Sequence, residues 1–286
     1  PIPVWKCESC DNQICVGSRD ELKELSGIYP EDLHKHFVDE IDIPCSCGAQ
    51  MHRIPEVLDC WFESGAMPYA QNHYPFENKE YFDSHFPADF ISEGLDQTRG
   101  WFFTLHAIST MVKNSIAFKS VISHGLVLDK NGNKMSKRLG NAVDPFSTIE
   151  EYGSDPLRWY MMTNASPWDN LKFDVEGIEE VRRKFFGTLY NTYSFFALYA
   201  NVDKFTFAEE EVPLADRPEI DRWIISLLNS LVKDVTGFYD NYEPARAGRA
   251  IADFVGENLS NWYVRLNRKR YWGGEYNQDK IAAYQT

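Results

Sequence analysis

The sequence predicts a cysteine-knuckle segment, then an α/β domain, then an all-α helical bundle. Three observations carry that reading. Six cysteines are confined to the first 60 of 286 residues, strand and helix patterns alternate through the middle, and helical periodicity takes over after about Asp174.

Residues 1 to about 53 are rich in turns, with a short helix expected over 18–25, where Ser18 can cap and Glu21 stands three residues on. Asp89-Phe90-Ile91-Ser92 reads as a strand, residues 96–114 as a helix and Ser120-Val121-Ile122-Ser123 as a second strand. Strand, helix, strand in that order predicts a crossover in a parallel sheet. A Gly- and Lys-rich loop over 129–140 follows, and Asp155-Pro156 offers a cap and a first-turn proline for the next helix. Helical periodicity then covers 177–201, 220–242 and 244–272. In the second of these Trp223, Leu227, Leu231 and Val235 fall near one face. Residues 202–218, with Glu209, Glu210, Glu211 and two prolines, read as a solvated connection, and the stripe Tyr190, Tyr193, Phe196 as core. The expected domains are a knuckle segment 1–55, an α/β domain 56–175 and a helical domain 176–286.

Composition bounds the function. With 43% hydrophobic and 15% aromatic residues, the chain is no disordered tail. No apolar run approaches the roughly 20 residues that span a bilayer, and no basic-then-apolar leader is present, so a cytoplasmic protein with no membrane partner is expected. The chain opens Pro-Ile-Pro-Val-Trp and stops within an apparent helix, Ile-Ala-Ala-Tyr-Gln-Thr, which suggests a piece of a longer protein. The net charge of -14 argues against holding nucleic acid by bulk charge. The imbalance is concentrated before Glu176, however. A nucleic-acid partner therefore fits the C-terminal part best, where Arg265, Arg268, Lys269 and Arg270 cluster; a solvated helix face is the plainer alternative.

Cys7-Glu-Ser-Cys10 and Cys45-Ser-Cys47-Gly48 form two short knuckles, close to the two-pair layout of zinc ribbons. Thiolates two or three positions apart on a tight turn can point at one ion. Metal binding would also explain how a loop-rich stretch with little core stays folded. Cys15 and Cys60 are spares, and His34, His36 and His52 are weaker competitors for the ion.

The most informative stretch is Gly132-Asn133-Lys134-Met135-Ser136-Lys137-Arg138-Leu139-Gly140-Asn141. Three cations within five positions, between glycines, suit a triphosphate whose charge shifts onto a departing pyrophosphate. Flanking glycines would let the loop close and reopen. The Gly-x-x-x-x-Gly-Lys-[Ser/Thr] phosphate loop is absent.

Lys134-Met135-Ser136-Lys137-Arg138, with His124-Gly125 ahead and Gly140-Asn141 behind, resembles the Lys-Met-Ser-Lys-Ser loop of class I aminoacyl-tRNA synthetases, Arg138 replacing the last serine. Leu58-Asp59-Cys60-Trp61-Phe62-Glu63-Ser64-Gly65 and Glu93-Gly94-Leu95-Asp96-Gln97-Thr98-Arg99-Gly100-Trp101-Phe102 resemble the isoleucine-specific branch. Asn258-Leu259-Ser260-Asn261-Trp262-Tyr263-Val264-Arg265 is similar to the anticodon-binding helices of that family. The resemblance covers almost the whole chain.

It implies a partial Rossmann-like nucleotide-binding domain followed by a truncated anticodon-binding bundle. It implies ATP, with Mg, and isoleucine as substrates, tRNA(Ile) as partner, zinc as resident metal, and a monomer. Lys137, helped by Lys134, would stabilise the phosphates while the amino-acid carboxylate attacks. Glu93, Gly94, Asp96 and Gln97, with His124 and Gly125, would hold ATP and the adenylate. Trp61 and Trp101 would line the isoleucine slot; as ordinary residues these two would be core, and Asp96 a helix cap. A slot of that kind discriminates poorly against one missing methylene, so editing is expected of the whole enzyme, though no editing insertion fits here. No His-x-Gly-His stands anywhere in the sequence, so the chain alone is expected to be inactive. Two competing readings are a non-catalytic zinc-ribbon and helical module that binds RNA or protein, and a valyl- or leucyl-type synthetase piece. The Glu93–Phe102 run separates both from the isoleucine branch.

Overall fold

The computed structural model describes residues 1–286 and divides them into two compact units, Pro1–Phe90 with Asp96–Ser120, and Ile91–Leu95 with Val121–Thr286.

Four short strands open the first unit: β1 (Val4–Cys7), β2 (Gln13–Cys15), β3 (Ile43–Pro44) and β4 (Gln50–Arg53). They pair antiparallel in the order β2-β1-β4-β3. Trp5 stands opposite Arg53 and Cys7 opposite Met51. Side chains alternate across a strand, so Trp5, Cys7, Met51 and Arg53 share one face, and all four are buried. The Trp5 indole donates to the Ile41 carbonyl at 2.7 Å. Arg53 donates to Asp39 and to the Ile2 and Glu56 carbonyls.

The expected helix is present as Arg19–Ser26. The Ser18 hydroxyl accepts from the Glu21 N–H, the Glu21 carboxylate accepts from the Gly17 N–H, and Leu22 enters the core. The segment is thus better built than a loop-rich stretch with little core. Strands of two to four residues are too short to show a period, which is why the sheet is invisible in the sequence.

A second cluster, Tyr69, Phe82 and Ile108, packs the helix Trp101–Lys113 against the segment before it. The expected helix over 96–114 is divided. Leu95–Arg99 is a 3-10 turn, and the α-helix starts only at Trp101, because Gly100 takes φ -135°, ψ -113°, outside helical space. On either side lie β5 (Ala88–Gly94) and β6 (Phe118–His124), which pair with each other. The Ala88 N–H donates to Ala117 and the Ser92 hydroxyl to Ile122. Partner numbers rise together, so the strands run the same way. The predicted crossover is present, as two strands rather than a wide sheet.

In the second unit β7 (Val127–Leu128) and β8 (Leu171–Lys172) pair in parallel. Leu157, Tyr160, Leu171, Phe173 and Ile178 form the core beneath them. The cap-and-proline signature operates earlier than expected. Asp144 accepts from the Ser147 N–H and Pro145 opens the helix Pro145–Tyr152. The next helix, Ser154–Thr163, starts directly after Gly153 at φ +91°, so Asp155 falls inside its first turn rather than at the cap, while Pro156 stands in that turn as expected.

From Val175 onward every element is helical. Val175–Val181 runs through a π turn, Arg182–Phe186, into Gly187–Asp203. Glu219–Asp240 and Pro244–Asp253 follow, then a π-helical stretch, Phe254–Val264, continuous with Arg265–Trp272, and finally Gln278–Gln285. The aromatic stripe is only partly core. Phe196 packs with Phe195 and Tyr199 against Ala200, Phe205, Tyr271, Ala283 and Tyr284. Tyr190 and Tyr193 are 70% and 65% exposed, because the helix is apolar on more faces than it buries.

Asp221, fully buried, holds these helices together. It takes both terminal nitrogens of Arg270, at 2.6 and 2.9 Å, and the Tyr263 hydroxyl at 3.1 Å. Arg270 continues to Asp279 and to Asn267.

Candidate functional site

The lysine loop leaves the sheet edge through a backbone contact that demands glycine. A Cβ at Gly125 would sit 2.2 Å from the Asp169 carbonyl oxygen and 2.4 Å from its carbon. That proximity lets Gly125 donate to Pro167, Leu126 donate to the Asn170 side chain, and Leu171 donate back to Leu126. Gly125→Ala has only backbone to push against, so overpacking of about 1–3 kcal/mol is expected. Amide protection along β7 and β8, measured by hydrogen exchange, should fall about tenfold or more.

Beyond β7 the loop is stapled by Asp129. Its carboxylate accepts from the Asn131 and Asn133 backbone and from the Asn133 and Asn141 side chains. Hydrogen bonds from Asn141 and from the Asn133 backbone hold that carboxyl below its ordinary value. Asn141 also accepts from the Ser136 N–H and donates to the Lys134 carbonyl. Ser136 caps the 3-10 turn Lys137–Leu139, which closes on Gly140 at φ +67°. Met135 plugs into the core beside Leu157 and Tyr160. These hydrogen bonds brace the backbone, and what it presents is charge. Lys134, Lys137 and Arg138 are exposed and join no ion pair.

Asp129 was not singled out by the sequence. The signal lay in the Asp-x-Asn-x-Asn spacing, where an Asx side chain can bind the backbone two and four residues on.

In the same unit Glu93 and Gly94 end β5, and His124 ends β6 just before Gly125. Because the strands are parallel, these four residues stand at one end of the pair. Glu93 and His124 are exposed.

In the first unit Asp96 and Gln97 occupy the 3-10 turn after β5. Gln97 donates to Asp96 at 3.0 Å and accepts from the Trp101 N–H at 3.0 Å. Gln97 is therefore the residue that caps the following helix, and the exposed Asp96 carboxylate is free of that duty. Trp61 and Trp101 come close together. The Trp101 indole donates to Ser64, and the Trp61 ring lies 3.3 Å from where a side chain would begin at Gly100. Asp59 fixes the start of the Trp61 helix by accepting from the Trp61 and Phe62 N–H groups. Trp61 remains 45% exposed, so it is a wall rather than core.

Cys7, Cys10, Cys45 and Cys47 meet, with all four sulfurs within 4.8 Å of one another. Cys7 and Cys47 lie 3.6 Å apart, Cys10 and Cys45 3.5 Å. A tetrahedral zinc–thiolate centre has sulfurs about 3.8 Å apart, so the donor set fits one divalent ion. The Cys47 backbone N–H leads in drawing the Cys45 thiol down to about 6. The Asn12 N–H pulls Cys10 the same way, but the sulfurs of Cys47, Cys45 and Cys7 outweigh it and push that thiol up to about 12. Four clustered sulfurs cannot all ionise without a cation among them. His34 and His52 are engaged elsewhere, with Asp32 and Asp42.

A family model described as tRNA synthetases class I (I, L, M and V) matches residues 1–174. The chain belongs to the class I tRNA synthetases. A second model, the anticodon-binding domain of tRNA ligase, matches residues 221–286 of this synthetase chain. Isoleucine–tRNA ligases of Bacteroides fragilis and Cytophaga hutchinsonii are 62% and 63% identical to it, and that of Clostridium tetani 52%. Each comparison covers the whole of this chain but only 27–28% of the relative, so the chain spans little more than a quarter of the curated ligases it matches.

Among solved structures, the Agrobacterium radiobacter K84 LeuRS in ternary complex with tRNA and LeuAMS aligns with a TM-score of 0.71 at 20% identity, covering 99% of this chain and 36% of that one. The Mycobacterium tuberculosis methionyl-tRNA synthetase bound to methionyl-adenylate aligns with a TM-score of 0.65 at 19% identity, over 79% and 43%. At such identities the likeness shows the fold alone. No helix of this synthetase chain is long and apolar enough to cross a membrane.

Of the four basic residues singled out near the C-terminal end, Arg265, Arg268 and Lys269 are exposed and form no ion pair. Arg270 is bound to Asp221 and Asp279, which hold its guanidinium charged against its burial.

Proposed function

We propose that this chain is the lysine-loop portion of a cytoplasmic isoleucine–tRNA ligase. The parent enzyme activates isoleucine with ATP and transfers it to tRNA(Ile). The observation that carries the reading is the loop: a backbone stapled at Asp129 and Asn141 that presents Lys134, Lys137 and Arg138 unpaired to solvent. Cations without internal partners on a braced loop are available to a polyanion.

In the activation step an isoleucine carboxylate oxygen attacks the α-phosphorus of ATP. A bond forms between them, the bond from the α-phosphorus to the bridging oxygen breaks, and pyrophosphate leaves with its electron pair. Lys137, assisted by Lys134, neutralises charge growing on that leaving group; Mg bound with ATP supplies further neutralisation. Glu93 and Gly94, His124 and Gly125, and Asp96 and Gln97 hold the adenylate, with Trp61 and Trp101 beside the aliphatic side chain. Cys7, Cys10, Cys45 and Cys47 hold a structural zinc that keeps the first knuckle folded. The domains divide at 55 and 175: a zinc segment, the later half of a Rossmann-like catalytic domain, and helices that meet tRNA. Arg265, Arg268 and Lys269 contact its phosphates, while Arg270 positions their helix from within.

Two assays test this reading. The full-length ligase should show isoleucine-dependent ATP–pyrophosphate exchange well above that with leucine or methionine, and the 286-residue chain alone should show none. Equal exchange with leucine would overturn the isoleucine reading. Turnover by the isolated chain would overturn the claim that it is only part of the site.

A further inference from the structure

Outside the residues already assigned, one further cation stands against the lysine loop. Leu128, in β7, pairs on one edge with Lys172 of β8 and on the other with Lys134 of the loop. Residues paired across strands point to the same face, and successive residues to opposite faces. The surroundings agree. Leu171 and Phe173 are buried in the core and Met135 packs against them, while Lys172 and Lys134 are exposed on the other side. Two strand spacings of ~4.8 Å put the two lysine backbones about 10 Å apart. The Lys172 stem crosses the turn of the loop: its Cε lies 3.4 Å, and its Nζ 3.9 Å, from where a side chain would begin at Gly132. Lys172 forms no ion pair. Asp129, the one carboxylate in the stretch 129–140, is engaged by Asn131, Asn133 and Asn141, so nothing in the loop neutralises this ammonium group.

We propose that Lys172 is a further phosphate-binding residue of the activation site, holding the polyphosphate of ATP beside Lys134, an assignment that rests on the reading of the loop given above. Its place in the fold decides what kind of contact it makes. Lys134 and Lys137 lie on the segment between Gly132 and Gly140. Lys172 instead lies on a paired strand, whose Leu171 and Phe173 N–H groups donate to Leu126 and Leu128 on either side of it. A cation held on a strand meets the phosphates alike before, during and after the reaction. Such uniform binding lowers the concentration needed for saturation and leaves the maximal rate alone. Lys172 therefore captures ATP, and in the reverse direction pyrophosphate, whereas Lys137 acts on the charge that develops between them.

The test uses the full-length ligase and isoleucine-dependent ATP–pyrophosphate exchange with Lys172→Met, which keeps a stem over Gly132 and removes the charge. The half-saturating concentrations of ATP and of pyrophosphate should each rise about tenfold, the loss expected for one charged hydrogen bond, with little change in the maximal rate. Lys172→Arg should stay near wild type in both. Added salt should weaken ATP saturation less in Lys172→Met than in wild type. Amide exchange along Val127–Leu128 and Leu171–Lys172 should match wild type in both variants. Protection lost there together with weaker ATP saturation would make Lys172 a brace for the loop and overturn the proposal. So would a Lys172→Met ligase that saturates with ATP and pyrophosphate as wild type does, or that is slowed only in transfer to tRNA. If Lys137→Ala also leaves activation unchanged, the reading of the loop falls as well; a slow Lys137→Ala beside an unaffected Lys172→Met removes only the role of Lys172.

Discussion

Replacing Cys45 with Ser should reduce bound zinc from one per chain to near none and melt the β1–β4 sheet. Cys45 is buried among Trp5, Ile43 and Met51, so its thiol belongs at once to the metal cluster and to the apolar core. Structural zinc sites of this kind carry apparent binding free energies of about 10–16 kcal/mol in small zinc domains, more than a core of this size supplies by itself. Without the ion, nothing draws together sulfurs that stand 3.5–3.6 Å apart, and the Cys7 and Cys45 turns lose their shared anchor. Hydrogen exchange should show protection lost across Val4–Cys7 and Gln50–Arg53 and kept in Glu219–Asp240. Metal analysis of the wild type well below one zinc per chain would remove the basis for this expectation.

Asp221→Ala should be the most damaging single change in the helical part. It removes the carboxylate that takes two nitrogens of Arg270 and the Tyr263 hydroxyl. Breaking a buried pair from one side costs about 3–5 kcal/mol, because the remaining charge stays buried. The low end applies here, since Asp279 still reaches Arg270 from the exposed side. A loss of about 3 kcal/mol corresponds to a fall of roughly a hundredfold in amide protection within Glu219–Asp240. Asp221→Asn, which keeps an acceptor, should lose less.

What could be read from the sequence depended on whether a feature is local. The Ser18 and Glu21 cap, the cysteine spacing and the charged loop are decided within a few residues, and each stands where it was expected. Long helices announce themselves by period. By contrast, strands of two to four residues carry no period, so β1–β4 escaped notice. A stripe such as Tyr190, Tyr193 and Phe196 says that residues share a helix region, not which part of it meets a neighbour. Nothing in the sequence sets Arg270 apart from the neighbouring cations Arg268 and Lys269; only the fold reveals that Asp221, 49 positions away, claims it. Asp129 likewise gains its meaning from Asn141, 12 residues on.

Loop cations that act on the leaving pyrophosphate differ in their kinetics from cations that merely tether ATP. Single-turnover formation of isoleucyl-adenylate by the full-length ligase, with Lys137→Ala against wild type over a range of ATP concentrations, separates the two most directly. The maximal rate should fall by about 10²- to 10³-fold, with the half-saturating ATP concentration nearly unchanged. An unchanged maximal rate with weaker ATP binding would contradict that role for Lys137.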